Sequence, residues 1–374
     1  ERWRARGKEL RGGGWVKWCR YAMRVLAVSD LHTDYEQNLA WCRQLDGELY
    51  QSDVLIIAGD VTHKLDRLEE TLLVLKGKFR EVFFTPGNHD LWLERDKGGT
   101  SIDKLHEVFN LCKRIGVEYR AKKISGVWLI PVLSWYHASW DREADWANTL
   151  PPNKVMADFR ACKWPEGVGQ DDLAPLFDSF NSELDLLETT LALERESAFE
   201  EELRCVISFS HFLPRNELLP EKSKLFYKAL PKAVGSDFLR KRLEAIDPDV
   251  HVFGHTHFSW DCWLDGCRYV QWPLAYPREQ ERRRKYGYRE QFSDSGRGGA
   301  GETPCPRKET RHPMCSWKPI VVYDSSQGGI TECKPTYWCK FYGHPLTNPQ
   351  NVKARRRPPA KANNLNQIKS SIRL

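Results

Sequence analysis

No CxxC pair occurs in this 374-residue chain, although it contains 11 cysteines. The thiols therefore carry neither a redox pair nor standard zinc-finger spacing. An odd, scattered set also argues against a secreted disulfide framework. Several lie in apolar segments, such as Cys205 in CVISFS, and read as reduced, partly buried thiols of a cytosolic or organellar protein. No apolar run approaches the ~18 residues of a membrane span. No internal repeat is visible, which sets aside repeat architectures. The final stretch, NVKARRRPPAKANNLNQIKSSIRL, has seven Lys/Arg and no acid, whereas Ser139 to Arg204 holds 16 acids against six bases. A net charge of +6 spread this way is not a uniformly basic nucleic-acid surface, so nucleic acid is not an expected partner.

What is present is a globular composition, 41% hydrophobic and with 15 Trp, long enough for one large domain or two medium ones. The chain opens on Glu1, and Met23 is a candidate initiator. Residues 1–22, Arg-rich and poor in acid, read as an unstructured leader or as the end of a plastid or mitochondrial transit peptide; otherwise a cytoplasmic location is expected. Residues 345–374 read as a disordered basic tail. Cys305, Cys315, Cys333 and Cys339 lie near His312 and His344, a conceivable structural zinc site of non-standard spacing.

Between these ends, residues 23–344 form the expected domain. RVLAVSD (Arg24 to Asp30), DVLIIAGD (Asp53 to Asp60) and EVFFTPGNHD (Glu81 to Asp90) read as buried strands that end in polar groups. Helical spacing separates them: Leu39, Cys42 and Leu45, then Leu65, Leu68, Leu72 and Leu75. A third helix is expected over SIDKLHEVFNLCKRIG, with Ser101 as N-cap and Gly116 as the stop. This strand–helix alternation predicts a parallel sheet of the α/β class. Later strands are expected in VWLIPVLSW, CVISFSHF, DVHVFGHTHFSW, CRYVQWP and PIVVYDS, the last ones suited to antiparallel pairing. Residues 139–203 read as an acidic helical insert in which Phe177, Phe180, Leu184, Leu187 and Leu191 mark one long helix packed on the domain. Residues 278–318, rich in charge, Gly and Pro, read as a flexible loop.

In an open α/β sheet, ligands bind beyond the carboxyl ends of the strands. Here those ends deliver Asp30 and His32, then Asp60, then Asn88, His89 and Asp90, then His211, then His255 and His257. A single such group is usually structural, an Asp often being a helix N-cap. Five strand ends with the same chemistry point to a metal site. Mixed Asp, His and Asn ligation suits Mn, Fe, Zn or Co. The ligands outnumber the needs of one ion that also binds water. Two ions sharing a carboxylate use them sensibly, and such pairs lie ~3.5–4 Å apart.

The series DLH, GDV, GNHD, SHF and GHTH resembles the calcineurin-like metallophosphoesterase superfamily, in its order and over roughly Met23 to Trp272. The resemblance implies two packed mixed β-sheets flanked by helices, with a dimetal site at one rim. By motif, Asp30, His32, Asp60 and His257 would hold one divalent ion, and Asp60, Asn88, His211 and His255 the other, with Asp60 as the bridge. His255 and His257 are expected on an extended strand end. Pro86-Gly87 is expected to turn the chain sharply after the third strand, aiming Asn88. His89 would stabilise the transition state or protonate the leaving oxygen, Asp90 would orient its ring, and a metal-bridging hydroxide would attack phosphorus. The implied activity is hydrolysis of a small phosphomonoester or phosphodiester.

Around this set, His63 reads as a substrate contact or a helix cap, Trp135 and Tyr136 as packing, and Arg215 as a phosphate contact or an ordinary loop residue. GDVTHKL departs from the GDxVDRG of the protein serine/threonine phosphatases and lacks the Tyr of purple acid phosphatases. The UDP-diacylglucosamine pyrophosphatases have similar motifs but typically Arg where this chain has His89. A nuclease is the other catalytic reading, although the acidic insert would repel a polyanion. A non-catalytic scaffold of the same fold is the alternative outside catalysis, yet such scaffolds tend to lose ligands that are all present here.

Overall fold

The computed structural model describes residues 23–94, 98–196, 205–286 and 317–347. The expectations for residues 1–22, for most of the loop at 278–318 and for nearly all of the tail lie outside the described residues. So do Cys305, Cys315 and His312 of the conceivable zinc site, whereas Cys333 and Cys339 are buried free thiols.

Two mixed sheets face each other. In the first, β1 (Arg24–Val28), β2 (Val54–Ala58) and β3 (Glu81–Thr85) run parallel, joined by α1 (Glu36–Gln44) and α2 (Leu65–Lys76). After α3 (Ser101–Ile115) the chain enters the second sheet through β4 (Lys122–Ile124) and β5 (Val127–Pro131). The insert follows as α4 (Pro152–Val155), α5 (Asp158–Ala161), α6 (Leu173–Ser179) and α7 (Glu183–Glu196). Then come β6 (Cys205–Phe209), α8 (Asp237–Ile246), β7 (Val250–Phe253), β8 (Trp260–Leu264), β9 (Cys267–Gln271) and α9 (Pro277–Tyr286). Finally β10 (Ile320–Asp324) and β11 (Gly329–Ile330) return to the first sheet, before α10 (Tyr337–Phe341). The strand orders are β11-β10-β1-β2-β3 and β4-β5-β6-β7-β9-β8. β10 lies antiparallel to β1, and β8 to β9, but β7 pairs parallel with β6 and β9.

The apolar runs in β1 to β3 reflect burial on both faces. Alternate side chains part company because successive residues of a strand point to opposite faces. Val25, Ala27, Val54, Ile56 and Phe83 enter the core shared with Ile207, Phe209, Val250 and Val252 of the second sheet. Leu26, Val28, Leu55, Ile57 and Phe84 instead meet Trp41, Leu68, Leu72, Leu75 and Val108 of the helices. Full burial of each Val, Leu, Ile or Phe side chain among these contributes roughly 1.5–3 kcal/mol, so the parallel strand ends sit on a rigid platform.

Three expectations are corrected. The N-cap of α3 is Thr100, which forms a reciprocal capping box with Asp103, while Ser101 is the first helical residue; Gly116 closes the helix in the left-handed conformation at φ 72°. The long insert helix is broken between α6 and α7. There the Asn181 side chain accepts from Leu133 N–H at 2.9 Å and donates to Leu133 C=O at 2.8 Å, which ties the break to the chain beyond β5. The start of the supposed flexible loop is helical: Pro277, which lacks an N–H, occupies the first position of α9.

Candidate active site

The loops beyond β1, β2, β3, β6 and β7 meet at one rim. Backbone bonds tie them together, with Asp30 N–H on Gly59 C=O and His32 N–H on Asp60 C=O, both 3.0 Å, and Gly254 N–H on His211 C=O at 2.9 Å. The approach is close enough to require glycine. A Cβ on Gly87 would lie 2.2 Å from Asp60 Oδ1, and one on Gly59 would lie 2.3 Å from His211 Nδ1. Gly87 thus serves close approach, and its φ is not left-handed, a different role from the sharp turn expected of Pro86-Gly87.

Left-handed backbone is found instead at Asp30 (φ 52°), His32 (43°), Asp60 (56°), His255 (76°) and His257 (57°). None is glycine, and each such residue costs of order 1–3 kcal/mol and persists only where its surroundings enforce it. The expectation that His255 and His257 sit on extended backbone is therefore corrected: β7 has already ended at Phe253.

The side chains expected from the five motifs do converge. Metal-capable atoms of Asp30, His32 and His257, of Asp60, His211 and His255, and of His32, Asp60 and His89 each lie within 4.8 Å of one another. Asp60 belongs to two of these groups. The Asn88 amide oxygen lies 3.0 Å from His211 Nε2 and 3.1 Å from His255 Nδ1.

Three rings are oriented by a partner on their far nitrogen. His211 Nδ1 meets Ala58 C=O at 3.0 Å, His255 Nε2 meets Ala233 C=O at 2.9 Å, and His257 Nδ1 meets Glu279 Oε2 at 2.7 Å. Each partner accepts a hydrogen bond from the ring N–H, which turns the opposite nitrogen inward. His32 Nε2 lies 2.9 Å from His257 Nε2. Two inward ring nitrogens at that distance, beside the Asp30 and Asp60 carboxylates, suit a cation in place of the proton they share. This donor set of carboxylate, imidazole and amide oxygen fits divalent metals.

The electrostatics divide the rings. Burial would push His211 and His257 down, but Asp60 holds the first up to about 9 and Glu279 with Asp30 holds the second up to about 10. A cation would have to displace a proton from each. Burial alone would push the carboxyl of Asp30 up, but His257 and His211 outweigh it and hold Asp30 down to about 2. Asp60 is likewise held well below the usual carboxylate range, burial being overcome by His211 and His89. Burial pushes the imidazoles of His32 and His255 down to about 4, so both rings are neutral lone-pair donors near neutral pH.

His89 lies at the edge. Its N–H donates to Asp60 Oδ1 at 2.9 Å, its ring stacks on Trp92 with centroids 3.6 Å apart, and its Nε2 lies 3.8 Å from Asp60 Oδ2. Asp90 does not hold that ring as expected. Its carboxylate accepts four backbone amides instead, from Gly87 (2.8 Å), Asp60 (2.9 Å), Val61 and Thr62 (both 3.0 Å). Asp90 thereby locks the β2 and β3 loops together.

Four contributors were not foreseen. Asp158, 2% exposed and on the insert, accepts from Asn88 Nδ2 (2.8 Å), Trp92 Nε1 (2.6 Å) and Tyr136 OH (3.1 Å). It thereby fixes which face of the Asn88 amide looks inward. Glu279 of α9 orients His257, Trp92 supports His89, and Tyr276 lies over His32 with centroids 4.2 Å apart. Among the neighbours weighed from sequence, His63 pairs with Asp34 at 2.9 Å and is not the cap of α2, which is Lys64. Trp135 and Tyr136 are buried packing residues, and Arg215 is engaged by Glu217 and Asp265.

This fold and rim define a phosphoesterase. The chain belongs to the calcineurin-like phosphoesterase family, whose model matches residues 23–259, and it is a phosphoric ester hydrolase of a family that uses divalent metals. It is 27% identical over 304 residues to the [acyl-carrier-protein] phosphodiesterase PptH of Mycobacterium tuberculosis (strain ATCC 25618 / H37Rv), covering 76% of this chain and 86% of that protein. The crystal structure of phosphopantetheinyl hydrolase (PptH) from Mycobacterium tuberculosis superimposes with a TM-score of 0.53 at 23% identity, over 71% of this chain and 94% of that one. Among the described residues, no helix is long and apolar enough to cross a membrane.

Proposed function

We propose that this chain is a two-metal phosphodiesterase whose substrate is the diester linking a phosphopantetheinyl group to a carrier protein. The observation that carries the two-metal reading is the convergence of ligand groups on both sides of Asp60. Asp30, His32 and His257 would complete one ion's shell, and Asn88, His211 and His255 the other's. Manganese, iron and zinc all suit these donors. When bound, the ions would supply Lewis acidity and lower the pKa of water toward neutrality.

The chain's own residues do the remaining work. Asp60 sits between the two ligand groups. Asp158 holds the Asn88 amide so that its oxygen, not its nitrogen, faces inward. His89, backed by Trp92, presents Nε2 on the open side, where it would donate a hydrogen bond to a phosphoryl oxygen in the transition state or to the departing oxygen. Asp90 keeps the loops bearing Asp60 and His89 in register. The diester assignment is supported by the similarity to a carrier-protein phosphodiesterase over most of that protein's length.

The test is turnover by manganese-loaded protein of bis-p-nitrophenyl phosphate, p-nitrophenyl phosphate and a phosphopantetheinylated acyl carrier protein. The expected result is preference for the diester and loss of the phosphopantetheine mass from the carrier. Preference for the monoester, or an unchanged carrier mass, would overturn the substrate assignment.

A further inference from the structure

We propose that Tyr276 is a catalytic residue of this site, its phenol O–H donating a hydrogen bond to a phosphoryl oxygen of the bound ester alongside His89. The proposal rests on the phosphodiesterase reading above and adds a substrate contact from outside the five motifs.

The Tyr276 oxygen lies 3.4 Å from His89 Nε2, the nitrogen that itself lies 3.8 Å from Asp60 Oδ2. The ring covers His32 at 4.2 Å and meets His257 edge-on at 4.9 Å. The hydroxyl thus stands over the cage, and the residue is only half-buried, so an ester entering from solvent reaches it. A phenol O–H is a hydrogen-bond donor.

The backbone around Tyr276 is also firmly set. Ala275 is left-handed at φ 65°, a conformation that costs a non-glycine residue about 1–2 kcal/mol. Its N–H donates to Asp30 C=O at 2.8 Å, and its C=O accepts from Asn38 Nδ2 and Gln280 Nε2, both at 2.9 Å. On the other side, Tyr276 N–H donates to Glu279 Oε2 at 3.2 Å, the oxygen that also meets His257 Nδ1. The residues around Tyr276 are therefore tied to two ligand-bearing segments. Strained backbone held this way is characteristic of functional positions, and donors fixed in advance are the kind that stabilise developing charge.

The alternative is that the ring merely packs against His32. The variant Tyr276→Phe separates the two, because it keeps the ring and removes only the O–H. Full-length manganese-loaded protein is compared as wild type, Tyr276→Phe and Tyr276→Ala. The readouts are kcat and KM on bis-p-nitrophenyl phosphate, affinity for inorganic phosphate by calorimetry, and bound metal by mass spectrometry. Tyr276→Phe is expected to lower kcat about 10²-fold, as loss of one preorganised donor does. It should also weaken phosphate binding about tenfold and leave metal content and KM near wild type. Unchanged kcat and phosphate affinity in Tyr276→Phe, with damage only in Tyr276→Ala, would overturn the proposal. So would loss of metal from Tyr276→Phe, which would place the phenol among the groups that hold the ions. A wild type that turns over no diester would refute the function proposed above, while the phosphate titration would still decide the role of Tyr276.

Discussion

Replacing Asp158 with Ala removes the acceptor of three buried donors at once: Asn88 Nδ2, Trp92 Nε1 and Tyr136 O–H. Each donor left without a partner costs about 1–3 kcal/mol. Partial relaxation and water entry make the sum smaller than three full penalties, so a loss of about 3–5 kcal/mol in unfolding free energy is expected. The functional effect follows from the amide. Once Asp158 is gone, nothing forces the Asn88 oxygen inward, and a rotated amide would offer N–H groups where a lone pair is required. Loss of such an outer partner typically costs 10–100-fold in metal affinity or activity. The assay is a manganese titration by calorimetry, with urea unfolding in parallel, on wild type, Asp158→Ala, Asn88→Ala and the double variant. If Asp158 acts through Asn88, removing it from the Asn88→Ala background should leave metal affinity unchanged although stability still falls. Equal, additive losses of affinity in both backgrounds, or an Asp158→Ala variant with wild-type affinity, would show that Asp158 does not act through Asn88.

Further outcomes are expected. His89→Ala should lower turnover 10²–10⁴-fold with metal content intact, the usual contribution of a positioned acid or base; metal analysis beside steady-state kinetics checks it. Gly87→Ala would drive a Cβ to 2.2 Å from Asp60 Oδ1, so both metal content and thermal stability should fall, by about 2 kcal/mol or more in unfolding free energy. Stripping metal with a chelator should lower the melting temperature, and restoring manganese should recover it in proportion to the logarithm of free metal. At the far side of the second sheet, Arg268 and Asp261 form a fully buried bidentate pair at 2.7 and 2.9 Å. Arg268→Ala should cost about 3–5 kcal/mol in urea unfolding, without changing the metal affinity of whatever fraction folds.

The strand ends that build the cage were legible because their chemistry is local. An apolar run followed by Asp, Asn or His at a strand terminus places that group on the ligand-binding edge of a parallel sheet. Residues that orient the ligands were not legible, since they arrive from segments whose local pattern says something else. Asp158 is one acid among 16 in the insert, and nothing in its neighbours marks it as the buried one. Glu279 and Tyr276 lie at the edge of a charged stretch that reads as a loop, although Pro277 followed closely by an acid is a helix-start signal that was there to be seen. Asp90 misled through its adjacency to His89. Neighbouring residues in a tight 3-10 turn point apart, so the carboxylate turned back to the loop amides while the ring faced the opening. The left-handed backbone at five of the candidate metal-binding positions was hidden for a different reason. Non-glycine residues rarely adopt it, and the interlocked loops enforce it only once both sheets are assembled.

Whether Asp60 joins two metal ions is decided by a crystal structure of the protein grown with manganese, with anomalous scattering recorded at the manganese edge. Two anomalous peaks about 3.5–4 Å apart are expected, with Asp60 contacting both and with Asn88, His211 and His255 around one of them. A single peak, or two peaks with Asp60 bound to neither, would contradict the two-metal reading.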